Sequence, residues 1–250
     1  MKIVTWNVNG IRARQAQVIE LMAQEQPDIL CLQELKAKPE QVPEALRQLA
    51  DYWSYWHGAA AYSGVGLHLR KERFPEPPAF THPPFDHEAR IVQANLGDLM
   101  VASVYVPNGG KDYAAKLGFL GAMEGYATAV REAGRALIVC GDLNVTRTDR
   151  DVHPKERKPN AIGQRADERA LLERVLGCGL IDVGRALDPD NDNLFTWWAP
   201  WRNLRQRNIG WRLDYVLASE AWARRATSCP VLREFGTSDH GPVIATFADS

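Results

Sequence analysis

Apolar residues along this 250-residue chain follow two periodicities, and their alternation sets the architecture before any chemistry is considered. Runs rich in β-branched and apolar residues at 2–8, 28–33, 64–69, 90–96, 99–106, 136–140, 194–198, 213–218 and 243–247 predict strands. Gly97-Asp98 joins two of them directly. Glycine supplies the positive φ that a tight hairpin needs at its first turn position, so that pair is expected to be antiparallel. Helical spacing appears at Val18, Leu21, Met22 and at Val42, Ala45, Leu46, Leu49. It recurs at Tyr113, Leu117, Leu120, Ala127, Val130 and at Ala170, Leu171, Val175, Leu176, the last stopping at Gly177 or Gly179. Strands interleaved with helices, plus one direct hairpin, predict mixed sheets covered by helices, an α/β architecture. The stretch 72–88, with five prolines, reads as a loop, and the polar stretch 146–169 as a long functional one.

Composition narrows this picture. A length of 250 residues at 45% hydrophobic supports one large core, and a single domain over 1–250 is expected. The formal net charge of -1 excludes a global positive field, so any nucleic-acid contact must come from local patches. Four widely spaced cysteines, Cys31, Cys140, Cys178 and Cys229, have no Cys-x-x-Cys pair and read as reduced, mostly buried side chains. The chain opens on Lys-Ile-Val-Thr-Trp rather than on a basic leader, and no apolar run is long enough to span a bilayer. A cytoplasmic monomer without membrane contact is expected.

Several predicted strands stop in polar clusters: Trp-Asn-Val-Asn-Gly at 6–10, Gly-Asp-Leu-Asn at 141–144 and Ser-Asp-His-Gly-Pro at 238–242. With Glu34 after an apolar run and Asp214 inside another, these supply hard oxygen ligands and acid/base groups for metal-assisted phosphodiester cleavage. Singly, each has a plainer reading. Glu34 alone is a solvated carboxylate at a strand exit, and Asn7 with Asn9 is an amide pair on one strand face bonding neighbouring backbone. The spacing of two places Asp142 and Asn144 on one strand face, where a carboxylate and an amide could share a water. His240 and Asp239 are neighbours in an extended chain and face opposite ways. Asp214 is then the better partner for His240, because an unpaired charge in that apolar context costs on the order of several kcal/mol.

Taken together, Trp-Asn-Val-Asn-Gly-Ile-Arg-Ala, Leu-Gln-Glu-Leu-Lys, Tyr-Ser-Gly-Val-Gly, Val-Tyr-Val-Pro-Asn-Gly, Gly-Asp-Leu-Asn-Val, Gly-Trp-Arg-Leu-Asp-Tyr and Ser-Asp-His-Gly-Pro run in order from residue 5 to residue 243. The chain thereby resembles the exonuclease III family of apurinic/apyrimidinic endonucleases. The resemblance implies a four-layer α/β sandwich, two packed mixed sheets flanked by helices, with the site at one edge between the sheets. It implies Mg²⁺, replaceable by Mn²⁺, at Glu34 with Asn7 nearby, and a metal-ligating set extending over Asp142, Asn144, Asp239 and His240. It further implies that Asp142 with Asn144 activates water, that Asp214 pairs with His240, and that Tyr105 contacts the scissile phosphate or its leaving group. The implied reaction cuts DNA 5′ to abasic sites, leaving 3′-hydroxyl and 5′-phosphate, with added 3′-to-5′ exonuclease and 3′-end cleaning.

Substrate choice is expected in 194–213, where tryptophans alternate with Arg202, Arg205, Arg207 and Arg212, a pattern suited to backbone phosphates and an extruded sugar. Trp198 reads as core. By resemblance, Trp197, Trp211 and Leu213 wall a pocket for a flipped abasic deoxyribose, Trp201 and Lys111 insert into the duplex, and Asn108 contacts phosphate. The chain departs from the family at Ala89, where glycine is common, and at Asn160-Ala-Ile-Gly. Competing readings are a predominantly 3′-to-5′ exodeoxyribonuclease, a phosphoinositide-type phosphatase of the same fold, and a non-catalytic DNA-binding module.

Overall fold

The computed structural model describes residues 1–59 and 62–249. Its strands, in chain order, are β1 (Lys2–Asn7), β2 (Ile29–Gln33), β3 (Tyr52–His57), β4 (Val65–Arg70), β5 (Ala79–Thr81), β6 (Ile91–Leu96), β7 (Leu99–Tyr105), β8 (Ala136–Asp142), β9 (Leu180–Asp182), β10 (Asp214–Ser219), β11 (Ala226–Ser228) and β12 (Val243–Phe247). The helices are α1 (Ile11–Glu25), α2 (Glu44–Arg47), α3 (Tyr113–Glu132), α4 (Ala166–Gly177), α5 (Val183–Leu187) and α6 (Glu220–Ala223). Two six-stranded sheets result, ordered β11-β12-β1-β2-β4-β3 and β5-β6-β7-β8-β10-β9. Each sheet carries one parallel pair at its centre, β1 with β2 and β7 with β8; the remaining pairs are antiparallel. Among the described residues no helix is long and apolar enough to cross a membrane.

Side-chain alternation along the strands explains the layering. On β1, Val4 and Trp6 pack outward against Val18, Leu21 and Met22 of α1, while Ile3 points between the sheets. On β8, Leu137 and Val139 pack outward against α3 and α4, while Ile138 and Cys140 point inward. The same parity holds on β7, with Val101 and Tyr105 inward, and on β10, with Val216 and Ala218 inward. Counting on by twos, Asn7, Gln33, Tyr105, Asp142 and Asp214 all continue the inner face, so one edge of the intersheet layer is necessarily polar. Thr5, Gln33 and Ser103 begin that transition with a buried hydrogen-bonded row.

Gly141 of β8 pairs with Val104 of the parallel neighbour β7. Its φ is +146°, and a Cβ there would lie 1.9 Å from the Val104 carbonyl oxygen. Gly141→Ala is expected to destabilise the protein by about 2–3 kcal/mol through overpacking and backbone strain, read as a lower denaturant midpoint at unchanged m-value.

The hairpin at Gly97-Asp98 is present, pairing Leu96 with Leu99, with Gly97 at φ +72°. Residues 194–198 do not form a strand; Trp197 makes isolated bridges to Trp211 and His240 instead. β3 escapes the pattern because its six residues are half-buried on both faces, leaving no apolar/polar contrast to read. β5, β9 and β11 span three residues each, and β5 lies within the proline-rich stretch at a sheet edge, where missing N–H donors are tolerated.

Candidate active site

The inner-face residues at the polar edge meet directly. In the second sheet, Tyr105, Asp142 and Asp214 lie side by side in register. Across the layer, Asn7 Nδ2 donates to Asp142 Oδ2 at 2.9 Å, joining residues 135 apart in sequence. His240 Nδ1 lies 2.8 Å from Asp214 Oδ2, and its Nε2 stands 3.8 Å from Asp142 Oδ2. All of these side chains are nearly or completely buried. Asp214 Oδ2 also accepts from Thr196 Oγ1 at 2.6 Å, and Thr196 Oγ1 in turn accepts from the backbone N–H groups of Leu213 and Asp214. The bridge between Trp197 and His240 and the bond from Trp6 Nε1 to the His240 carbonyl, 3.0 Å, fix the imidazole's backbone.

Electrostatics follow from this packing. Burial alone would push the His240 pKa down, but the carboxylates of Asp214 and Asp142 outweigh it, and the imidazole is pushed up to about 10. Burial pushes the Asp142 carboxyl up to about 7, with His240 opposing and Asp214 adding, while Asn7 and the Asn144 N–H hold the charged form. The Tyr105 phenol is raised strongly by burial and by Glu34 and Asp142, so it stays neutral at physiological pH.

Two expectations about faces need correction. β1 ends at Asn7 and β8 at Asp142, so neither Asn7 with Asn9 nor Asp142 with Asn144 lies on one strand. Asn9 (φ +44°) and Asn144 (φ +52°) instead occupy left-handed turns. Asn144 still faces the site because its N–H bonds Asp142 Oδ1 at 2.9 Å, closing a local turn. Asn9 diverges from Asn7 and donates to Asp239 Oδ1 at 2.8 Å.

Glu34 also has a left-handed backbone, φ +55°. Its segment is clamped on both sides: Gly10 N–H donates to Glu34 O, while Leu35 and Lys36 donate to Gly64 O and Ser63 O. Such over-determination is what sustains a non-glycine residue in that region. The Glu34 carboxylate receives Lys36 Nζ at 3.0 Å, and the same ammonium lies 2.6 Å from Asn9 Oδ1. Asp239 lies in a bend rather than in extended chain, so it lines the same space as His240 instead of the opposite face, and it accepts Trp197 Nε1 at 2.9 Å.

Glu34, Tyr105, Asp142, Asn144, Asp239 and His240 line a cavity of about 320 Å³, with Trp197, Trp211 and Leu213 on one wall and Ile162 and Gly163 beside them. The two indoles meet edge to face, centroids 5.4 Å apart. Asn108 reaches the rim, whereas Lys111 lies outside, 6.0 Å above the Tyr62 ring. Trp201 is 59% exposed in a neighbouring groove that shares Asn9 and Asp239 with the cavity. The arginines of 202–212 divide. Arg202 and Arg207 are exposed, but Arg212 is buried against Asp151 at 2.7 Å and Asp182 at 2.6 Å, and it is unavailable to phosphate. Arg205 braces the loop from within, bonding the carbonyls of Arg233, Phe235 and Ser238 and lying over Trp198. Trp198 is core, 1% exposed.

Sequence reading misses three supports. Thr196 carries no signal beyond its place between Phe195 and Trp197. Lys116 and Glu168 read as ordinary helix-surface charges, yet they are wholly buried as an ion pair. Lys116 Nζ donates to Asn144 O at 2.7 Å, and Glu168 Oε1 accepts the Gly163 N–H. One buried pair thus holds two loops of the cavity wall.

Residues 4–240 match the endonuclease/exonuclease/phosphatase family. The chain belongs to that family. Within the endonuclease/exonuclease/phosphatase family, the exodeoxyribonuclease of Bacillus subtilis is 32% identical over 97% of this chain and 98% of its own length. Recombination repair protein 1 of Drosophila melanogaster is 32% identical over 99% of this chain, which spans only 37% of that protein. Among solved structures, a 3′ phosphatase from Neisseria bound to product DNA hairpin is 30% identical, with a TM-score of 0.90 and 100% coverage of both chains. An AP endonuclease from Archaeoglobus fulgidus is 28% identical, with a TM-score of 0.89 and the same coverage. These likenesses place the chain in the family's exonuclease III branch and make it a hydrolytic enzyme. The family's metal dependence agrees with the acidic and histidine groups gathered here.

Proposed function

We propose that this chain is a Mg²⁺-dependent DNA-repair phosphodiesterase that cuts 5′ to abasic sites, leaving a 3′-hydroxyl and a 5′-phosphate, and that also trims and cleans 3′ ends. One observation carries the reading: Asp142 and His240, backed by the buried Asn7 and Asp214, open directly into the cavity walled by Trp197, Trp211 and Leu213. Acid/base groups and an aromatic-walled, sugar-sized recess therefore share one space.

The donor set suits a hard cation. Glu34, Asp239 and the Asn7 amide offer only oxygens, and Lys36 already brings a positive charge to the Glu34 and Asn9 oxygens. We assign Glu34 as the principal ligand, with Asn7 and Asp239 bordering it, for Mg²⁺ or Mn²⁺. When bound, the ion would offset phosphate charge as a Lewis acid. His240 is read differently: as an imidazolium it has no lone pair for a metal, and its Nε2–H serves a phosphoryl oxygen. Asp142 takes a proton from water, since its raised pKa lies near the operating pH, while Asn7 and Asn144 fix its orientation. Asp214 keeps His240 charged and aimed. Tyr105, a neutral phenol beside Asp142, donates to the phosphate or to the departing 3′-oxygen.

Damage recognition is assigned to the recess. A deoxyribose without its base fits where a whole nucleotide would not, and an abasic nucleotide flips more cheaply because no pairing is lost. Asn108 would contact phosphate, with Lys111 and Trp201 flanking the damage. The names of the relatives, an exodeoxyribonuclease, an AP endonuclease and a 3′ phosphatase acting on DNA, support the DNA substrate and the 3′-end activities. The test is a gel time course on one duplex carrying an internal abasic site and a labelled recessed 3′ end. The internal nick is expected first, lost in EDTA and restored by Mg²⁺ or Mn²⁺. A 3′ ladder ahead of the nick would make the protein mainly an exonuclease, and preferential release of inositol phosphate would overturn the nuclease reading.

A further inference from the structure

A second cluster of ligating side chains lies where the outer strands of the two sheets meet. β3 contributes Tyr55 and His57, and the connection from β5 to β6 contributes His82 and Asp86. Tyr55 stacks on Phe80 of β5, centroids 5.3 Å apart, so the sheet edges touch. His57, His82 and Asp86 each bring one ligand atom within 4.8 Å of the other two. Unlike the catalytic trio, these residues are half-buried and open to an ion from solvent.

We propose that His57, His82 and Asp86 bind a divalent transition-metal ion, Zn²⁺ by preference, that clasps the two sheets together. Two imidazoles and a carboxylate are borderline donors of the kind Zn²⁺ selects, unlike the oxygen-only set at Glu34. The surrounding bonds are those that prepare metal ligands. His82 Nδ1 lies 3.1 Å from the Ile91 carbonyl, which can only accept, so Nδ1 carries the proton and Nε2 keeps its lone pair. That Nε2 now accepts from the Tyr55 hydroxyl at 3.0 Å, a bond the ion would displace. Asp86 Oδ1 is occupied by the N–H groups of Arg90 and Ile91, leaving Oδ2 for the cluster. There it meets His57 Nε2 at 2.6 Å, and the ion replaces the proton shared by this pair, which leaves to solvent. The rings of His57 and His82 now lie stacked, centroids 3.9 Å apart and planes at 28°, so His57 must swing out of the stack for both lone pairs to reach one ion. The clasp reaches the active site mechanically, because Asp86 holds the backbone of Arg90 and the Arg90 guanidinium lies 5.1 Å over the Tyr105 ring.

Co²⁺ alone is the probe, added to the full chain after EDTA stripping, because Co²⁺ in a four-coordinate imidazole site absorbs visible light far more strongly than in an octahedral oxygen site. A saturable visible band is expected in the unaltered protein and in Glu34→Gln, which removes the principal catalytic ligand. The band is expected to vanish in His82→Ala and in Asp86→Asn. Zn²⁺ should raise the Tm of the unaltered protein by roughly 2–4 °C, the scale of about 1 kcal/mol in a protein this size, and should not do so in either variant. Folding of each variant is checked by its melt without metal, and Asp86→Asn, nearly isosteric, serves if His82→Ala does not fold. A missing band in the unaltered protein, a band that survives in the folded variants, or one lost in Glu34→Gln overturns the proposal.

Discussion

Asp142→Asn is expected to lower kcat on an abasic-site duplex by about 10²- to 10⁴-fold, the usual worth of a positioned general base, with duplex binding nearly unchanged. The substitution preserves shape, and the amide oxygen can still take the Asn144 N–H, but the second carboxylate oxygen, which accepts from Asn7, is replaced by a donor and no carboxylate remains to receive a proton from water. Because Asp142 is buried in a pocket that raises its pKa to about 7, its carboxylate is a stronger base than an exposed one and still ionises near neutrality. The loss should fall on kcat rather than on the Kd for uncut DNA, since the cavity walls and the rim residue Asn108 are untouched. Single-turnover cleavage beside a binding titration separates the two quantities. Near-native turnover would remove Asp142 from the chemistry.

Asp214→Asn should cost about 10²-fold or more in kcat/KM at neutral pH and should also change the shape of the pH profile. In the unaltered protein, activity requires Asp142 unprotonated and His240 protonated. The Asp142 pKa near 7 sets an acid limb, moved lower by any cation bound beside it, and the His240 pKa near 10 sets an alkaline limb, giving a broad bell. Removing the Asp214 charge works in one direction on both groups. His240 loses its largest offset to burial, so its pKa falls and the alkaline limb moves down. Asp142 loses a neighbouring negative charge, so its acid limb moves down as well. The expected result is a bell displaced to lower pH, measured as kcat/KM across the range at constant ionic strength. An unmoved alkaline limb would show that Asp214 does not govern the protonation of His240.

Much of this was readable from the residues. Parity along 2–8, 136–140 and 213–218 assigns inner and outer faces, and the polar residues that break each run at its end then fall on one edge. The pairing of His240 with Asp214 followed from the cost of an unpaired buried charge. What the pattern could not carry were interactions in which two polar groups hide each other. Lys116 with Glu168, and Arg212 with Asp151 and Asp182, look like solvated charges until their partners are located. Arg212 accordingly drops out of the expected phosphate-binding set. Asn144 reached the site by a different route from the one its spacing suggests, because a turn replaced the strand. β3 was hidden for the opposite reason, its six half-buried residues offering no contrast between faces.

The distant contacts that close the site have a kinetic consequence. They join residues as far apart as Asn7 and Asp142 across the sheets, or Trp6 and His240, which are 234 positions apart. Contacts of such sequence separation close late, after the entropy of large loops has been surrendered, and they slow folding. Neither sheet alone contains Asn7, Asp142 and His240 together. The chain therefore holds no competent half-site while it is being made, and hydrolytic capacity arises only once both halves have docked.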